Sequence, residues 1–193
     1  MRKLVQITLA VLLVAVGGVT IGWQVLHSRE REPVYQGNSL SSWLLDSRTT
    51  IQQQEADEAV RQAGTNAIPI LLRMLRAKDS ALMVGLMNLA QRQRLITVHY
   101  TFAAERNYAG RQGFEVLGAK AQSAVPGLIE IFNQNISFPS QRKAIEALGD
   151  IGPAAKEAVP SLLRWAATNI YNAAAISALD HIDPEAAAKA GVK

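Results

Sequence analysis

The sequence predicts an all-α protein: an α-solenoid of stacked antiparallel helix pairs, preceded by one transmembrane helix. Three observations carry that expectation. A short apolar module occurs three times, as "AIPILL" at Ala67–Leu72, "AVPGLI" at Ala124–Ile129 and "AVPSLL" at Ala158–Leu163. The interval from Pro126 to Pro160 equals that from Gly118 to Gly152, so a glycine and a proline recur together. The chain also opens on an uncharged apolar run, Leu4–Leu26. Residues that favour helices dominate: the chain is 49% hydrophobic but only 6% aromatic. A helical unit of about 34 residues cannot bury its apolar face alone, so copies must stack.

In chain order, the first element is the N-terminal run. As a helix it would span roughly 34 Å at about 1.5 Å per residue, against a hydrocarbon core of about 30 Å. Trp23 lies near its end, where membrane interfaces favour aromatic rings. A cleaved signal peptide is the rival reading, with Leu4–Ala15 as its apolar core and Ala15 and Gly17 as small residues before a cut. The longer run favours residues 1–26 as an uncleaved anchor. Arg2 and Lys3 precede it and Arg29 and Arg31 follow it, a slight bias toward an inside N-terminus and an extracytoplasmic C-terminal part. Residues 27–52 read as a juxtamembrane linker and capping helix, and residues 53–193 as the repeat domain.

The formal charge of +4 includes Arg2 and Lys3, so the part beyond the anchor stands near +2. That is no excess on the scale of a nucleic-acid-binding surface. The absence of cysteine removes disulfides, thiolate catalysis and cysteine-zinc sites.

Within the repeats, Ala144, Ile145, Leu148 and Ile151 recur at helical spacing and make one apolar stripe. Gly152 can adopt positive φ beyond that helix, and Pro153 cannot continue its hydrogen bonding. Val159, Leu162, Leu163 and Ala166 define the next stripe, with Pro160 in a first turn that lacks intrahelical partners. The glycine-proline stretch thus reads as the elbow of a helix pair. By the same reasoning helices are expected near 39–47, 53–63, 67–77, 80–92, 102–117, 124–134, 140–151, 157–167 and 170–182. A last short helix, "PEAAAKA", is capped by Asp183. "ALGDIGP" from Ala147 is echoed by "ALDHIDP" from Ala178, at a slightly shorter offset than the prolines keep. The interval from Pro69 to Pro126 is much longer than that from Pro126 to Pro160, so Asp79–Thr101, with one helix and the run "LITVHYT", reads as an insertion.

The proline module, its Leu-Gly or Ile-Gly-Pro elbow and its period resemble HEAT repeats. They are most similar to the short bacterial HEAT-like repeats also found in phycobilisome lyases, over roughly Ala56–Lys193. Tetratricopeptide and ankyrin arrays share the period, but neither signature is in the sequence. "PVYQGNSLSSWLLD" also looks like a lead-in to such repeats in membrane-anchored bacterial proteins; Leu40, Trp43 and Leu44 make a small apolar face suited to covering the first repeat. The resemblance implies an α-solenoid that binds other macromolecules, with no catalytic residue, metal or cofactor. It also implies that the second helix of each pair, here 102–117, 140–151 and 170–182, lines a concave face where partners dock.

Chemistry-bearing residues are sparse. His27, His99 and His181 lack metal-ligand spacing apart from the weak His181-Ile-Asp183 pattern, and His181 reads as a surface or cap residue. Asp180 and Asp183 replace elbow glycines and read as capping residues. Ser39, Ser41, Ser42 and Ser47 have neither a nucleophile-elbow context nor a neighbouring base. Arg92, Arg94, Arg106 and Arg111 form the densest basic stretch, which reads first as a solvated helix face and second as a site for an acidic partner. Trp165 reads as packing. The expectation is a membrane-tethered, non-catalytic scaffold for a protein or peptide partner. A nucleic-acid-binding solenoid and a HEAT-like lyase are the alternatives, and no nucleic-acid partner is expected. Ile145, Leu148 and Leu179 should be buried, leaving Arg106, Arg142 and Glu146 as candidate partner-binding residues half a turn away.

Overall fold

The computed structural model describes residues 32–47, 49–92, 100–168 and 173–189. The N-terminal run, His27, Arg94 and His99 lie outside the described residues. Among the described residues no helix is long and apolar enough to cross a membrane. Residues Pro33–Lys193 form one compact unit, whose described residues are mostly helical, with one short hairpin.

That hairpin pairs β1 (Val34–Tyr35) with β2 (Asn38–Ser39) antiparallel, turning through Gln36 and Gly37 at positive φ. Ser39 then caps α1 (Leu40–Asp46), its Oγ accepting from the Ser42 amide at 3.3 Å. Leu40 and Leu44 are buried. Trp43 donates its indole N–H to the Tyr35 carbonyl at 2.9 Å and packs edge-on against the Tyr35 ring. The helix α2 (Thr50–Ala63) begins earlier than the expected position 53, because Thr49 and Gln52 form a capping box.

The remaining helices fall where periodicity places them. They are α3 (Ile68–Leu75), α4 (Ala81–Arg92), α5 (Ala103–Leu117), α6 (Val125–Asn133), α7 (Phe138–Ile151), α8 (Val159–Thr168), α9 (Ala173–Ile182) and α10 (Pro184–Lys189). The start of α7 precedes the expected position 140, since Ser137 is its N-cap and Pro139 fits its first turn.

Three 3₁₀ elbows, Gly64–Ala67, Gly118–Ala124 and Gly152–Ala158, link α2 to α3, α5 to α6 and α7 to α8. Each opens on a glycine at positive φ, +55°, +51° and +70° respectively. The equal length of the second and third elbows gives Gly118 to Pro126 and Gly152 to Pro160 the same spacing, while the shorter first elbow brings Pro69 closer to Gly64. The glycine ends one helix, and Pro69, Pro126 or Pro160 occupies the first turn of the next, where no donor is needed. One expectation changes. The helices joined by an elbow hardly touch each other; α6 packs on α7, α8 on α9 and α3 on α5. The elbow therefore joins successive packed pairs and is not the bend within one, because its 3₁₀ segment, seven residues long in the second and third elbows, sets the two helices apart.

Side by side, α5 touches α7 and α7 touches α9, while the elbow at Gly118 touches that at Gly152. Helices α3 and α5 approach closely: a Cβ on Gly113 would overlap the Leu71 methyl groups, so a side chain there would require Leu71 to shift. Ile145, Leu148 and Leu179 are buried as expected, within a single apolar cluster running from Leu40 to Ala187.

Three polar residues are fully or nearly buried among these helices: Asn107, Ser140 and Gln141. Each caps the C-terminal carbonyls of a preceding helix. Asn107 donates its amide hydrogens to Met74 and Leu75 at 2.9 Å and to Ala77 at 3.2 Å. Ser140 donates to Leu75 at 2.6 Å, and Gln141 to Phe132 at 3.0 Å. The orphan acceptors that end α3 and α6 are thus satisfied from α5 and α7.

Candidate functional site

A groove of about 570 Å³ lies between α7 and α9. The apolar contributions are Phe138, Ile145, Trp165, Ala174 and Ala178. Gly149 sits at its floor, where α7 and α9 approach so closely that a Cβ would come 3.0 Å from Ala178 Cα. Phe138 is 56% exposed at the rim. Trp165 turns one edge to Phe132, with ring centroids 5.2 Å apart, so the packing reading of this residue holds while it also borders the groove.

A chain of charges runs along one side. Arg111 on α5 donates two hydrogen bonds of 2.8 Å to the carboxylate of Asp150 on α7, a bidentate pair across neighbouring helices. It also reaches Glu115 at 3.1 Å and lies 4.0 Å from Glu146. These hydrogen bonds to Asp150 hold the guanidinium above its ordinary pKa, against the opposing effect of burial. Glu146 accepts from Arg142 at 2.8 Å and from Lys143 at 2.5 Å. Burial works to raise the Glu146 pKa, but hydrogen bonds from Lys143 and Arg142 outweigh it and the net shift is downward. Lys143 completes the chain, its ammonium 5.4 Å from the centroid of the Tyr108 ring.

Of the three candidate residues, the groove brings Arg142 and Glu146 together, as an i,i+4 ion pair. Arg106 is elsewhere. It donates to Asp79 at 3.3 Å, at the junction where the insertion rejoins the helices. There the Asp79 carboxylate also accepts the Ala103 amide at 2.9 and 3.0 Å and the Tyr100 hydroxyl at 2.8 Å. Burial and the bond to Asp79 both raise the Tyr100 pKa. The basic stretch therefore divides: Arg106 and Arg111 each pair with an acid of the same fold. His181 is exposed and borders the groove, and Asp183 caps α10 by accepting the Ala186 amide at 3.1 Å.

Sequence reasoning missed Phe138, Arg111 and Asp150 as groove residues. The separation of Arg111 and Asp150 along the chain is close to one repeat, which is the available signal that stacked helices would bring them side by side. Phe138 precedes the expected helix start at position 140, and nothing in its pattern marks it as exposed. Among the described residues no group of acids and histidines could hold a metal ion. Among known protein families, curated proteins and solved structures, none matches the chain.

Proposed function

We propose that the chain is a HEAT-like α-solenoid that serves as a membrane-tethered, non-catalytic scaffold and binds a protein or peptide partner in the groove between α7 and α9. One observation carries the reading: the groove combines exposed aromatic surface with a charge chain already balanced within itself. Arg111 and Arg142 face Asp150 and Glu146, so the groove presents no cationic surplus for a polyanion. Phe138 and the edge of Trp165 offer the aromatic anchors that dominate protein interfaces, while Arg142 supplies a rim charge. The solenoid reading draws support from the recurring elbows and from the side-by-side order of α5, α7 and α9. The anchor reading rests on the uncharged run Leu4–Leu26.

Site-specific photo-crosslinking of the full chain in native membranes tests this. A crosslinker at Ser177, on the α9 side of the groove, should capture a discrete protein, and Arg142→Glu should diminish that capture while helicity is unchanged. A crosslinker at Glu157, on the last elbow, should capture none. Equal capture from both positions would overturn the groove as the binding site.

A further inference from the structure

The insertion holds a helix whose outward surface does not suit water. Leu82 is 88% exposed, Leu86 54% and Val84 36%, whereas Met87 is buried and Met83 half-buried. Their spacing puts Leu82 and Leu86 on one face and Met83 and Met87 on the face toward the protein. Ser80 starts the helix, its Oγ accepting the Met83 amide at 3.2 Å. Among the described residues, nothing from another element comes within 4 Å of a Cβ built on Gly85. An apolar outer face of this kind ordinarily lies against something.

Charge identifies what. Between Asp79 and Glu105 the chain contains no acidic residue, only Arg92 and Arg94, with Lys78 just before. Only one acid-free stretch is longer, residues 1–29, which contains the apolar run together with Arg2, Lys3 and Arg29. These two stretches hold five of the 20 basic residues and none of the 16 acidic ones, and the acid-free stretch 59–78 adds Arg61, Arg73, Arg76 and Lys78. Apolar helices flanked by Arg or Lys and free of acids suit an anionic lipid surface. At 12 residues α4 is about 18 Å long, too short to span a bilayer and long enough to lie in its interface.

We propose that α4 is a second membrane contact, an interfacial helix seated on an anionic bilayer with Leu82 and Leu86 toward the acyl chains. This rests on the reading of Leu4–Leu26 as an anchor that keeps the domain beside a bilayer.

The chain has no cysteine, so Leu82→Cys accepts a single environment-sensitive NBD label at a position where a bulky group displaces nothing. The labelled full chain is reconstituted into phosphatidylcholine–phosphatidylglycerol vesicles and its flotation is scored first. The label should then shift to the blue and lose most of its emission to lipids bearing a shallow nitroxide. A label on Glu157→Cys, on the exposed face of the last elbow, should keep its emission, and leaving out phosphatidylglycerol should weaken the quenching at position 82. A chain that floats while its label at 82 stays open to iodide overturns the α4 contact and leaves the anchor standing. A blue-shifted label that lipid nitroxides do not quench places a second copy of the chain on α4 and also overturns the proposal. Equal quenching with and without phosphatidylglycerol overturns the anionic preference. A chain that does not float overturns the anchor reading, and the α4 contact with it.

Discussion

Gly152 holds a φ of +70° with only the His181 carbonyl near the position of a Cβ, at 3.9 Å. Space is therefore not what excludes a side chain; backbone strain is. Gly152→Val should lower stability by about 1–3 kcal/mol, visible as a fall in Tm with helicity at room temperature retained; an unchanged Tm would show that the elbow tolerates a branched residue. This role was legible in the sequence because a glycine and a proline recur at one spacing. The pairing of Arg111 with Asp150 was not, because an ion pair between neighbouring helices depends on their rotation about their axes. A shift of one position in α7 would turn Asp150 away from Arg111 while leaving the apolar stripe of Ala144, Ile145, Leu148 and Ile151 recognisable.

At the scale of elements, the helices end where side chains from later helices take their carbonyls. Asn107 is the strongest case, a fully buried amide donating to three carbonyls at the end of α3. Asn107→Leu keeps the volume but removes the donor these three carbonyls share; Leu75 keeps Ser140 and Met74 keeps the Ala77 amide, so the Ala77 carbonyl loses most, and the expected loss is about 1–3 kcal/mol. Amide hydrogen exchange should show it as faster opening at the C-terminal turn of α3, with the elbow at Gly152 unaffected; uniform destabilisation would mean that packing, not capping, is the role of Asn107. Periodicity found every helix, since each carries an apolar stripe, but it placed the starts of α2 and α7 late. Their first turns are held by Thr49 and Gln52 and by Ser137, polar residues that add nothing to the stripe. The insertion was recognised by its disruption of the repeat, although its attachment through Asp79 was not, because a carboxylate that gathers Tyr100, Ala103 and Arg106 leaves no periodic trace.

At the scale of the molecule, α7 is the element on which the others depend, packing against α5, α6 and α9. Ending the chain after residue 168 removes α9 and α10 and uncovers the α7 face around Ile145 and Gly149. That truncated chain should lose cooperativity, with α7 and α8 melting before α2–α5, and should associate through the uncovered face; a single sharp transition at the original Tm would show that the C-terminal pair contributes nothing to its neighbours. The Asp79 junction has a consequence of another kind, in chain entropy. A carboxylate bound to the Ala103 amide fixes the two ends of a long loop together, so the packed helices on either side do not register how much chain lies between. Doubling such a loop costs only about 0.6 kcal/mol, less than one typical hydrogen bond. The interval between Asp79 and Ala103 is therefore a site where the polypeptide can lengthen, shorten or accept a foreign segment while the rest of the fold keeps its register.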